Sequence, residues 1–230
     1  MVTISDPEFG EIVVQKHVMA KNVSIKMLPS GKLKIIMPTY APTMSAKLLL
    51  KTSRSSIRQM VSKHQQSFAY LKDSPIGKSH HLYIKREGDS ISVKISASQI
   101  IAKIPAGESL DSVKVQSEIR KKVITALRKE AKSHLPRRLR YHADQHGFDY
   151  DAVRLTHASS RWGSCSSGGT ISLNIALMNL PFELMDYVLI HELAHTRQMN
   201  HSNKFWQEVA AVDPLYKQHR KQLKNHTPYV

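Results

Sequence analysis

The pentapeptide His191-Glu192-Leu193-Ala194-His195, with His201 following after five further residues, restricts what this chain can fold into more than any other feature. Residues four apart share one face of a helix, so a helix here presents two imidazoles to a common point and holds the carboxylate at its edge. The preceding run, Asp186-Tyr187-Val188-Leu189-Ile190, is mostly apolar, which makes that helix a buried one. Buried imidazoles and a buried carboxylate need partners. A catalytic zinc site takes three protein ligands and keeps one position open, and His201 supplies the third imidazole. The competing reading is an amphipathic helix whose histidines and glutamate line a solvated face.

One Zn2+ per chain, held by neutral His191, His195 and His201, would lower the pKa of a water in the fourth position towards ~7. Glu192 is then the natural general base: it can reach that water, accept its proton during attack on a carbonyl, and return the proton to the leaving amine. Between His195 and His201 the chain must leave the helix axis, because six residues do not complete whole turns. Metzincins place glycine where this chain has Gln198, and no methionine follows His201, so the chain lies outside that group and its turn is expected at Asn200. Glu208 is the first alternative should His201 not be the third ligand.

Composition narrows the rest. At 230 residues the chain can bury a full core, and a single cysteine, Cys165, excludes an intramolecular disulfide or a cysteine-based zinc ribbon. Cys165 and Trp162 read as packing or turn residues, with a thiolate ligand at Cys165 the alternative. With no basic start leading into an apolar run, and no stretch of about 18 apolar residues, the expectation is a cytoplasmic protein with no membrane partner. The formal charge of +16 attracts polyanions, so nucleic acid and nucleotides enter as possible partners. Lys47, Lys51, Arg54 and Arg58 fall at helical spacing, and Lys121, Lys122, Arg128, Lys129, Lys132, Arg137, Arg138 and Arg140 crowd a second segment. No nucleic-acid motif accompanies either, and both also read as solvated helix faces.

Along the chain, residues 12–15, 23–28 and 32–37 read as strands, the last two joined by the turn Pro29-Ser30-Gly31. A helix is expected over about 45–71 with Ser45 as a possible cap, and a second hairpin over 81–95 turning at Glu87-Gly88-Asp89. A long helix over about 112–145 should be kinked or interrupted at Pro136 and stop at Gly147. Residues 152–156 and 170–174 read as strands separated by the turn 164–169. Pro181 opens the metal-motif helix, and Ser202 caps another that carries Phe205 and Trp206 and ends at Pro214. No internal repeat is evident. His80, His81, His134, His142 and His146 lack a site-like arrangement.

Several segments together resemble the YgjP-like metallopeptidase family. They are Arg161-Trp162-Gly163-Ser164-Cys165-Ser166, Ile171-Ser172-Leu173-Asn174, Asp186-Tyr187-Val188 before the histidine motif, and Asn200-His201-Ser202 with Phe205-Trp206. The resemblance covers most of the chain and is densest from about residue 150. It implies an α+β fold in which a zincin-like catalytic region, related to SprT-like proteases, packs its metal-binding helix on a small sheet after a β-hairpin-rich N-terminal region. Residues 1–110 and 111–230 are the expected regions of what reads as one continuous unit. His191, His195 and His201 are the implied zinc ligands and Glu192 the implied base of a metallopeptidase acting on peptide or protein substrates. Zincins lay an extended substrate on an edge strand, which puts Ser172 and Asn174 in the binding set if 170–174 is that strand rather than a core strand. Arg161 and Arg197 are candidates for an anionic group. Two other functions stay open: a metal-dependent nucleotide phosphoanhydride hydrolase, which lacks a glycine-rich phosphate cradle, and a DNA-associated protease or binding protein using its basic surface.

Overall fold

The computed structural model describes residues 2–28, 33–68 and 70–230, side chains at 62–68 excepted. The expected turn Pro29-Ser30-Gly31 lies outside the described residues. The chain divides into two compact units, 1–69 and 70–230, rather than near residue 110. What surrounds position 110 is interior to the second unit, where strands and the following long helix share one core.

The first unit contains β1 (Val2–Asp6), β2 (Gly10–Lys16), β3 (Ser24–Met27), β4 (Leu33–Met37), α1 (Thr43–Thr52) and α2 (Arg54–Phe68). Alternate residues Ile12 and Val14, then Leu33, Ile35 and Met37, face a core closed by Ala46, Leu50 and Ile57, as period-two strands meeting amphipathic helices should. The single expected helix is two, broken at Ser53, and Pro42 rather than Ser45 stands at the first cap. Two of the four residues of the first basic stripe are paired internally: Arg54 binds Asp6 and Glu8, and Arg58 binds Glu8.

The second unit opens with β5 (Ser74–Ile76), β6 (His80–Arg86), β7 (Ser92–Ser96) and β8 (Gln99–Ile104). The expected 81–95 hairpin is not formed. The sheet order is β5-β6-β8-β7, with β8 parallel to β6 and antiparallel to β7. The reason is burial: β8 carries the fully buried Ile100, Ala102 and Ile104 and takes the centre, while the more polar β7 goes to the edge. The first unit has the same plan, β1-β2-β4-β3 with β2 parallel to β4 and β3 antiparallel to it. The two sheets are therefore a topological repeat that the sequence did not disclose.

Helix α3 (Val113–His146) runs from a Ser112 cap, whose side chain accepts from the Val115 N–H, to a left-handed Gly147. Pro136 lies within this one helix, where the packing of fully buried Leu135 and Leu139 offsets the ~3 kcal/mol that an interior proline costs. Buried Glu130 turns inward and accepts from the Lys78 and Ser79 N–H groups, fastening α3 to the β5–β6 turn. There follow β9 (Ala152–Thr156), β10 (Gly163–Cys165), β11 (Thr170–Asn174), a 3-10 turn (Ile175–Asn179), α4 (Phe182–Ala194), α5 (Asn203–Val212) and α6 (Tyr216–Leu223). The last sheet has the order β10-β11-β9, and α4 packs beside β10 and β11. No helix among the described residues is long and apolar enough to cross a membrane.

Candidate metal centre

Helix α4 begins after the extended Pro181, with Glu183 in its first turn, where a carboxylate favours the helix dipole. It buries residues on nearly every side, including Leu184, Met185, Leu189 and Leu193, so its orientation is fixed by packing rather than by one apolar stripe. The helix ends at Ala194. Thr196 N–H donates to Leu193 O, and the N–H groups of Arg197 and Gln198 donate to Ala194 O, so the backbone curls tightly beneath its own last turn. Asn200 does not provide the expected left-handed turn, since Ala97 is the only non-glycine residue at positive φ among the described residues. The exit is made earlier, at His195 itself.

That curl brings His201 back to His191 and His195. One ligand-capable nitrogen from each of the three lies within 4.8 Å of the others, and His191 Nε2 is 3.1 Å from His201 Nε2. A tetrahedral ion with bonds of 2.0–2.1 Å would set two such nitrogens about 3.3 Å apart, so the residues fit zinc. His195 Nδ1 lies 3.0 Å from Gln198 O; donating there, it leaves Nε2 with a free lone pair. Phe205 of α5, fully buried, supports all three rings, with centroids 4.9, 4.5 and 4.8 Å from those of His191, His195 and His201. Trp206 stacks on the outer side of His201. Burial, aided by the neighbouring histidines and Arg220, pushes His191 down to about 3, which keeps its imidazole neutral.

Glu192 is 5 % exposed, and burial pushes its carboxyl up to about 8 against the opposing charge of Arg161. Its neighbour across the gap is Gly163 on β10, where a Cβ would lie 2.6 Å from Oε1 and 2.8 Å from Cδ of Glu192. A strand glycine marking a close approach was the available signal, but nothing in the sequence said what approached. Burial and Glu192 together push the half-buried Cys165 thiol up, and Cys165 is not part of the histidine cluster.

The proposed substrate strand needs correcting. Residues 170–174 form β11, the middle strand, and Ser172 is paired on both sides, to Ser164 and to Arg154. Asn174 is fully buried; its Nδ2 donates to the carbonyls of Ala158, Arg161 and Pro228, and its Oδ1 accepts from the Ala176 N–H, which leaves it no capacity for a substrate. Arg197 is likewise engaged. It binds Glu208 at 2.7 Å, donates to the carbonyls of His146 and Gly147, and lies over Phe148. Glu208 is thus paired with Arg197 and lies outside the histidine cluster. Arg161 alone of these four candidates is exposed beside Glu192.

His191 and Glu192 give the metal-free protein a distinctive stability profile. Between about pH 3 and 6.5 the unfolded chain holds the His191 proton that the folded one refuses, so stability rises with pH. Between 4.5 and about 8 the folded protein holds the Glu192 proton that the unfolded one releases, so stability falls with pH. Together they give a rise, a plateau from about 4.5 to 6.5, and a decline towards 8. In urea unfolding under chelator, Glu192→Gln is expected to lose the decline and to exceed the parent at pH 8 by on the order of 3 kcal/mol. Parallel profiles for the two proteins above pH 6.5 would refute this.

Residues 21–226 match the YgjP-like, metallopeptidase domain family. Similar solved structures include the metallopeptidase zymogen of Pyrococcus abyssi abylysin, 33 % identical, with 39 % of this chain and 91 % of that one covered at a TM-score of 0.37. The metallopeptidase zymogen of Methanocaldococcus jannaschii jannalysin is 18 % identical, with 39 % of this chain and 93 % of that one covered at a TM-score of 0.36. No curated protein matches. With a family match spanning nearly the whole sequence, this mixed α and β chain belongs to the YgjP-like metallopeptidase family, and it is a hydrolase of the peptidase type.

Proposed function

We propose that the chain is a zinc-dependent peptidase in which His191, His195 and His201 hold one Zn2+ and Glu192 is the general base. The observation that carries this reading is the convergence of three imidazole nitrogens within 4.8 Å beside a buried carboxylate. Zinc bound there would supply Lewis acidity, activating water and polarising the scissile carbonyl. Glu192 takes the proton from the attacking water and delivers it to the leaving amine nitrogen. Gly163 leaves the carboxylate room to serve both steps.

The free edge of β10 suits an extended peptide. Asn174 N–H donates to Trp162 O and Ser166 N–H to Thr170 O, so the Gly163–Leu173 and Cys165–Ile171 pairs are of the non-hydrogen-bonded kind. The N–H and C=O groups of Gly163 and Cys165 therefore point away from β11, where a substrate backbone can add as a further strand. The edge role expected of 170–174 passes to 163–165. This favours a peptide over a nucleotide, for whose phosphates no glycine-rich cradle is present.

The test is metal content by mass spectrometry on untagged protein. About one zinc per native chain, near-complete loss in His191→Ala and His195→Ala, and a clear loss in His201→Ala are expected. Chelation should stop hydrolysis of an unfolded protein substrate and zinc should restore it. Full zinc occupancy in both helix-histidine variants, or hydrolysis indifferent to chelation, would overturn the assignment.

A further inference from the structure

Two guanidinium groups flank the histidine cluster, one on the strand side and one on the α6 side. Arg161 stands two residues before Gly163, whose backbone abuts the Glu192 carboxylate. Arg220 lies 4.6 Å over the ring of Trp206, which is itself stacked on His201 with centroids 5.5 Å apart. Both arginines are exposed.

Several other arginines of the chain are already neutralised by an acid. Arg54, Arg58, Arg138 and Arg197 each bind a carboxylate. Arg161 and Arg220 have no carboxylate partner among the described residues, and Asp213, on the turn before α6, is taken by His219. Glu192, next to His191 in the chain, is buried. A divalent cation on three neutral imidazoles would add further positive charge to this mouth. Such a field is compensated by an anion brought from outside.

We infer that Arg161 and Arg220 select peptides bearing acidic side chains on either side of the scissile bond. This rests on the peptidase reading and adds to it a substrate class. Both arginines act here as specificity determinants that pair with the substrate rather than as participants in proton transfer. Their planar, permanently charged forks suit carboxylates and remain charged at any working pH.

The experiment uses three peptides of equal length, identical except that the residues flanking the scissile bond are Glu, Gln or Lys. Their binding is measured to zinc-loaded Glu192→Gln protein, which cannot turn them over, and their cleavage is followed with the native enzyme. Tighter binding of the Glu peptide than the Gln peptide is expected, with the Lys peptide weakest, each arginine accounting for about fivefold. The preference should shrink in high salt, collapse in the Arg161→Gln/Arg220→Gln double variant, and persist in the corresponding double lysine variant, which keeps the charge. Equal binding of the three peptides, binding of none, or a preference unchanged in the double glutamine variant would overturn the inference. Selective binding without cleavage by the native enzyme would count against the peptidase reading while upholding acid recognition.

Discussion

Glu192→Gln is expected to retain about one zinc per chain and to lose peptide turnover by on the order of 10²–10⁴-fold. The substitution conserves shape within a buried pocket, and none of the three clustered imidazoles is altered, so metal affinity has no reason to change. What disappears is the ability to take a proton from water and hand it on. A structural zinc site would be indifferent to the change. Turnover within about tenfold of the native enzyme, with zinc in place, would remove Glu192 from the chemistry and send the search for a base elsewhere.

Gly163→Ala should lower turnover by on the order of 10²-fold without loss of metal, since a displacement near 1 Å at a reacting group has a cost of that size. The new methyl would stand 2.6 Å from Glu192 Oε1, 2.7 Å from Cγ and 2.8 Å from Cδ, so the whole carboxylate end must move, and its buried position restricts where it can go. Gly168→Ala is the matched control. It lies in the turn leading into β11, and nothing is within 4 Å of its added Cβ. Equal activity of the two alanine variants would refute a positioning role for Gly163. Zinc analysis and the urea midpoint of each variant separate displacement of Glu192 from general unfolding.

The parts of this molecule that were legible in its sequence are those where local chemistry and tertiary placement agree. The Ser202 cap, the left-handed Gly147 stop and the antiparallel pairing of β3 with β4 are local decisions, and each stands where residue type alone put it. The histidine cluster was legible for the same reason, because helical spacing fixes two of its members. What failed is non-local. Strand order depends on competition for the sheet centre, so β6 and β7 looked like a hairpin until β8 was seen to lie between them. β10 was read as part of a turn because three residues, one of them glycine, carry too little pattern to announce a strand. The edge role assigned to 170–174 failed with it. The sequence likewise offered no reason to separate Arg161 from Arg197; only their partners do.

His201 is exposed on a turn, while His191 and His195 belong to a packed helix and its cap. In the proposed site the ion would leave most readily by first losing His201, so loading and stripping would depend on the exposed segment that carries this residue rather than on the unfolding of the core. Zinc held in this way would exchange with surrounding ligands while the fold stays intact.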